Sequence, residues 1–191
     1  MTYISNPPSV PASYAKALKP AVVRWCVPGW FWEVGNNTVV VLGRIYFEPI
    51  FVDTQTTFDR IGINVTGGDG LGGLADLRIF NEALGLPTSL ILSAGTVSTN
   101  APGAQEIVIN QTLPRGYYFL AVRVDQAPTI RGIAAAGVGG KGTLVSGIAL
   151  TNALTGFDLL IPSVDAAYAD PAPAPTAVET CISAFVRLRE A

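Results

Sequence analysis

Histidine is absent from the 191-residue chain. With it go the Ser-His-Asp triad, the Cys-His dyad and nearly every common catalytic zinc site, all of which need an imidazole. Charge is scarce too: Asp, Glu, Lys and Arg together make up 14% of the residues, against roughly 25% in an ordinary soluble domain. The three Lys and nine Arg are scattered singly, so there is no basic stripe for phosphate contacts and nucleic-acid binding is not expected. Cysteine occurs twice, as Cys26 and Cys181, which fits neither a disulfide framework nor a metal motif. Two reduced, buried thiols are the default expectation. The alternative is a clip between the two ends of the domain, because an antiparallel sandwich often pairs its first and last strands. No apolar run reaches the ~18 residues needed to span a bilayer without charge, Pro or Gly breaks, so the mean hydropathy of +0.41 does not imply membrane insertion. The first twenty residues, MTYISNPPSVPASYAKALKP, lack the basic and apolar regions of a secretory signal, and export by the general pathway is not expected.

What the chain has instead is apolar residues, 49% of the total. With so few charges to cover an isolated monomer, the excess apolar surface is assigned to subunit contacts. Residues 1–20, with Pro7, Pro8, Pro11 and Pro20, read as an extended arm, because proline favours extended backbone and cannot donate to a ladder. From Ala21 onward short β-rich runs follow one another, each bounded by Gly, Pro, Asn or Asp: AVVRWCV, TVVVLGRIYFEPIFV, TFDRIGINVT, LADLRIF, SLILSAGTV, QEIVINQTL, GYYFLAVRVD, TLVSGIAL and CISAFVRLR. In TFDRIGINVT the apolar set reaches one face only after a slip near Arg60, which implies a bulge. The Tyr117–Asp125 run alternates most clearly and is the strongest single strand prediction. Helix signals are confined to PASYAKALK and FNEALG, each good for a turn or two. Residues 164–178, rich in Pro and Ala, are expected to make a surface excursion before a last strand at Cys181–Leu188. The reading is all-β: an antiparallel, jelly-roll-like β-sandwich over residues 21–191 with an extended N-terminal arm.

No motif carries chemistry. A pair of carboxylates could in principle hydrolyse a glycoside, but Asp59, Asp76, Glu106 and Asp125 sit at polar phases or ends of apolar strands, where a solvated charge is the ordinary reading. Residues 137–143, GVGGKGT, fail the phosphate-loop spacing and read as a flexible loop. Residues 67–73, GGDGLGG, offer one carboxylate, short of what calcium prefers, and read as a hairpin connection with positive φ at its glycines. Neither a metal nor another cofactor is implied. All three tryptophans fall within eight residues, so Trp25, Trp30, Phe31 and Trp32 form a cluster. Its ordinary reading is core and subunit packing under the arm; stacking on a sugar is the alternative. Tyr117 and Tyr118 must point to opposite faces, so one at most can meet a ligand, and Tyr118 is a weak glycan candidate.

The stretch from Gly43 to about Thr129 resembles β-sandwich modules of tailed-bacteriophage structural proteins of the tail-fibre, head-fibre and decoration type. The resemblance is carried by GRIYFEPIFVDTQTTFDRIGINVTGGDGLGGLADLRIFN followed by LPTSLILSAGTVSTNAPGAQEIVINQTLPRGYYFLAVRVDQAP. An aromatic-rich strand, a TFDRIGINVT strand, a short strand ending in Phe-Asn and an LPRGYYFLAV turn and strand come in the order such modules show. The resemblance implies a non-enzymatic virion protein on the particle exterior, assembled in the host cytoplasm. Its expected partners are copies of itself, as a homotrimer, and other virion proteins. The alternative is a carbohydrate-binding adhesin that recognises a host-surface glycan, and a carboxylate enzyme is the third class of reading.

Overall fold

The computed structural model describes residues 25–26, 33–135, 160–180 and 186–191. Within them the chain is all-β, with twelve strands in two antiparallel sheets packed against each other as a sandwich. The strands are β1 (Trp25–Cys26), β2 (Glu33–Val39), β3 (Arg44–Val52), β4 (Thr56–Gly67), β5 (Leu74–Ala83) and β6 (Leu86–Ser98). They continue with β7 (Gly103–Leu113), β8 (Gly116–Val124), β9 (Thr129–Ala135), β10 (Leu160–Asp165), β11 (Ala177–Thr180) and β12 (Arg187–Glu190). The first sheet runs β1-β12-β4-β9-β2 with β7 on β4, and the second runs β11-β10-β3-β8-β5-β6. The expected arm, residues 1–20, lies outside the described residues, as do the PASYAKALK and TLVSGIAL segments and the loop at 137–143.

The core follows from the period of two. In β4, Ile61, Ile63 and Val65 are buried in the main core while Arg60 and Asn64 are part-exposed. Phe58 joins the same core because the register shifts between Phe58 and Arg60, the slip that the sequence pattern implies. In β8 apolar residues of both alternating sets are buried: Tyr118, Leu120, Val122 and Val124 in the main core, Phe119 and Ala121 in a second cluster on the opposite face. That second cluster adds Ile45, Phe47, Phe80 and Val164. Phe47 and Phe80 are 0% exposed, and each such side chain contributes about 1.5–3 kcal/mol when withdrawn from water. Around these residues the second sheet is therefore buried on both faces. The first sheet has one dry face: in β7, Ile109 is buried while the adjacent Val108 is 71% exposed.

The chain changes sheet at almost every connection. From β2 through β9 it crosses at each step except β5 to β6. The run TVVVLGRIYFEPIFV, which reads as one strand, is accordingly cut at Leu42–Gly43, with its two halves in different sheets. GGDGLGG is an arch between sheets rather than a hairpin connection, although Gly70 and Gly72 do take positive φ of 66° and 77°. FNEALG holds no helical turn. It is the end of β5 and the two-residue turn Leu84–Gly85 of the β5–β6 hairpin, with φ of 56° and 79°. The pairing of β5 with both β6 and β8 overrides the weak helical preference. The excursion after β10 carries a further strand, β11, which pairs with β10 itself.

Positive φ at both central positions defines the turn favoured by Asn-Gly, and a leucine there is strained and, at 100% exposure, unpaid by burial. Leu84→Asn is expected to raise stability by about 1 kcal/mol, read as a shift of the urea midpoint without a change of slope.

Candidate functional site

Three surfaces of the sandwich hold side chains beyond those needed for its main core. The first is the outer face of the second sheet. There Phe47 packs edge-on against Phe80 and Phe119, at ring-centroid distances of 5.6 and 6.5 Å. The Pro/Ala-rich segment after β10 lies across these rings as a strap. Tyr168 stacks on Phe80 at 6.1 Å, the Arg78 guanidinium sits 4.1 Å from the centre of the Tyr168 ring, and the Tyr168 hydroxyl donates to the Asp76 carbonyl at 3.1 Å. Burial pushes the Tyr168 phenol well above its ordinary pKa, and the nearby Asp76 charge acts in the same direction. Ala172 N–H donates to the Thr88 carbonyl at 2.7 Å and the Asp170 carboxylate accepts from Leu90 N–H at 3.0 Å, so the strap also engages the edge strand β6. The excursion expected from composition is thus an integral layer of the fold.

The strap stops short of the end of this face. One row beyond Phe119, Phe51 lies opposite Tyr117 with ring centroids 4.7 Å apart, and Arg115 is 6.0 Å from the Phe51 ring. Tyr117 is 53% exposed. Tyr118 is the neighbour expected as a weak glycan contact, and the structure corrects that expectation. It is 8% exposed, packs in the main core, and its hydroxyl donates to the Pro114 carbonyl at 2.9 Å. A tyrosine near the start of a strand that ties back to the preceding corner in this way holds the crossing between sheets, and burial raises its pKa above 10.0. Trp25 is placed by its backbone opposite Arg189, in the antiparallel pair β1–β12. Trp30, Phe31 and Trp32 lie outside the described residues, as does Cys181, while Cys26 is opposite Leu188 in the same pair.

The second surface is one end of the sandwich, where the β2–β3, β4–β5 and β8–β9 connections meet. Val40 N–H donates to the Pro128 carbonyl, Gly43 N–H to Val124, and Leu74 and Asp125 exchange bonds through Leu74 N–H to the Asp125 carboxylate at 2.6 Å and Asp125 N–H to the Leu74 carbonyl at 3.1 Å. The adjoining β4–β5 arch is sewn to the β6–β7 arch by Asp69, whose carboxylate accepts from the Thr99 hydroxyl at 2.5 Å and from the N–H groups of Leu71 and Gly73 at 2.8 and 3.1 Å. Gly68 is required there because a Cβ would collide with the Asn100 carbonyl. All of these donors spend Asp69 on structure. On this end five large aliphatic residues are exposed: Val39 by 61%, Val41 by 45%, Leu42 by 58%, Leu71 by 75% and Leu74 by 41%.

The third surface is the outer face of the first sheet. Arg187, Gly62 and Glu106 lie abreast on β12, β4 and β7. They line a shallow cavity of about 110 Å³ together with Ile63, Asn64 and Ala104. Gly62 has no room for a side chain there, since a Cβ would stand 2.6 Å from the Gln105 carbonyl oxygen. Nε and Nη2 of Arg187 are buried without a hydrogen-bond partner. Beside them Arg189 donates two hydrogen bonds to the Asp59 carboxylate, at 2.8 and 2.7 Å. Neither Arg187 nor Gly62 stands out in the sequence, though an isolated glycine inside a strand is itself a sign of close backbone approach.

Among the described residues there is no group of three His, Cys, Asp or Glu side chains that could hold a metal ion, and no helix is long and apolar enough to cross a membrane. The structure defines an antiparallel β-sandwich with a covering strap. No protein-family model, curated protein or solved structure matches the chain.

Two predictions follow from these contacts. Tyr168→Ala removes a stacked ring, its cation partner and a hydrogen bond at once, and should cost about 2–4 kcal/mol in urea unfolding, with faster proteolysis at the strap. The second concerns acid. The carboxyl of Asp69 is held below its ordinary pKa of 3.8 chiefly by the Thr99 hydroxyl, with the Leu71 and Gly73 N–H groups adding to it. Those of Asp59 and Asp165 are held below 3.8 chiefly by hydrogen bonds from Arg189 and Arg44. Groups depressed in the folded state contribute stability that is fully present above 3.8 and lost as pH falls through their folded values. Asp69→Asn should therefore lower the melting temperature near neutral pH and flatten its decline on acidification; an acid limb as steep as that of the parent would contradict this role.

Proposed function

We propose that this protein is a non-enzymatic structural component of a bacteriophage virion, placed on the particle exterior and acting through subunit–subunit contacts as a homotrimer and with other virion proteins. The observation that carries the reading is the apolar end of the sandwich. Val39, Val41, Leu42, Leu71 and Leu74 are exposed together on connections that are tied down by backbone and carboxylate hydrogen bonds. A set of large aliphatic groups held rigidly in water is the signature of a surface covered by a neighbour. The low charge content of the chain and the resemblance over Gly43–Thr129 to phage sandwich modules support the same reading. Its chemistry is burial: each leucine withdrawn into an interface adds about 1.5–3 kcal/mol, so a few suffice to drive assembly at modest concentration.

The test is Leu42→Glu combined with Leu71→Glu. Both side chains are exposed, so the variant should fold with an unchanged melting temperature. It should sediment as a smaller species than the parent, with association weakened at least ~tenfold by the lost burial and the added charge. Sedimentation identical to that of the parent at matched concentration would count against this end as the contact.

A further inference from the structure

The outer face of the first sheet holds a positive charge that the described residues leave unanswered. Three arginines of this chain grip a carboxylate in the same way, with Nε and Nη2, the paired edge of the guanidinium. Arg189 holds Asp59 at 2.8 and 2.7 Å, Arg44 holds Asp165 at 2.8 and 3.2 Å, and Arg78 holds Asp76 at 3.3 and 2.9 Å. In Arg187 the same two nitrogens are buried and, among the described residues, have no partner. A planar donor pair of this kind matches the two oxygens of a carboxylate. Left unpaired out of water, it is costly.

The surroundings narrow the ligand. Arg187 lines the shallow cavity together with Asn64 and Glu106. Gly62 stands between Arg187 and Glu106 in the row, so β4 puts no side chain between them. Glu106 does not answer Arg187, because its carboxylate lies 3.8 Å from Arg60 Nε. On the outer side of these strands the side chains of Arg60, Arg187 and Arg189 outnumber those of Asp59 and Glu106 by one, and the surplus positive charge falls at Arg187. The cavity volume of about 110 Å³ is several times the ~10–15 Å³ that one water needs. It is well below the ~300 Å³ at which sites for whole small molecules begin, so it suits a single functional group.

We propose that this cavity binds a carboxylate group, gripped by Nε and Nη2 of Arg187 after a turn of the terminal torsions brings that edge to the opening, with the Asn64 carboxamide as a further donor. The carboxylate belongs to a free short-chain acid or to a Glu or Asp side chain of a second protein. The site is distinct from the apolar end and does not rest on the assembly reading.

The experiment follows backbone amide NMR signals of the full chain during titration with sodium acetate, with sodium chloride at equal ionic strength as the control. Saturable shifts at Gly62, Asn64 and Ala104 are expected with acetate and not with chloride. Arg187→Met should weaken acetate binding at least ~tenfold, with the melting temperature unchanged or raised, since it keeps the apolar stem and removes an unpaired buried charge. Asn64→Asp, at a part-exposed position, places a like charge in the cavity and should weaken binding about fivefold; it carries the test if Arg187→Met does not fold. A blocked Gly-Glu-Gly peptide that binds at least ~tenfold tighter than acetate assigns the carboxylate to a protein side chain, and equal affinity assigns it to a free acid. Shifts that fail to saturate, that chloride reproduces, or that persist at full affinity in the folded variants would overturn the proposal.

Discussion

The second sheet has aromatic side chains on both of its faces, and much of the molecule can be derived from that. Its inner face meets the first sheet in the usual way. Its outer face carries Phe47, Phe80 and Phe119, which a two-layer sandwich would leave in water at a cost of several kcal/mol. A third layer is needed, and the chain supplies it with the segment after β10. Tyr168 is the wedge: a ring against Phe80, a cation on its other contact, and a hydroxyl returned to the backbone of Asp76. Proline is suited to this strap because the segment runs over the sheet as a cover and needs few donors of its own. Where the strap ends, the ring of Tyr117 is left half-exposed.

The crossings between sheets impose a second constraint. Each arch must reverse direction while leaving one layer for the other, so its backbone donors have no ladder to join. Carboxylates take them instead. Asp69 collects the Leu71 and Gly73 N–H groups and the Thr99 hydroxyl, and Asp125 takes Leu74 N–H. Acidic residues that could be suspected of chemistry are spent on closing loops or on arginines, as in Asp59 with Arg189 and Asp165 with Arg44. The buried, unpartnered edge of Arg187 departs from this pattern.

Legibility varied with the range of the interaction responsible. The strands with clean alternation were readable, as was the slip at Arg60 in β4, because both depend on neighbours in sequence. The opposed directions of Tyr117 and Tyr118 were readable for the same reason, but which of the two faced inward was not. FNEALG misled because its weak helical preference competes with pairing to β6 and β8, which lie elsewhere in the chain. GGDGLGG looked like a hairpin because glycine marks a turn without saying whether the next strand pairs with the last one or leaves for the other sheet. The apolar end is assembled from the β2–β3 and β4–β5 connections, which are far apart in sequence.

By itself, then, the sequence determined the β character of the chain, its strand faces and the absence of histidine chemistry, since period, turn residues and composition act locally or over the whole chain at once. Only the tertiary structure decided which sheet each strand joined, which aromatics were covered and which were left in water. Those outcomes depend on pairings between distant strands and on one Pro/Ala-rich segment lying across three phenylalanines, and no local pattern encodes where a distant segment comes to rest.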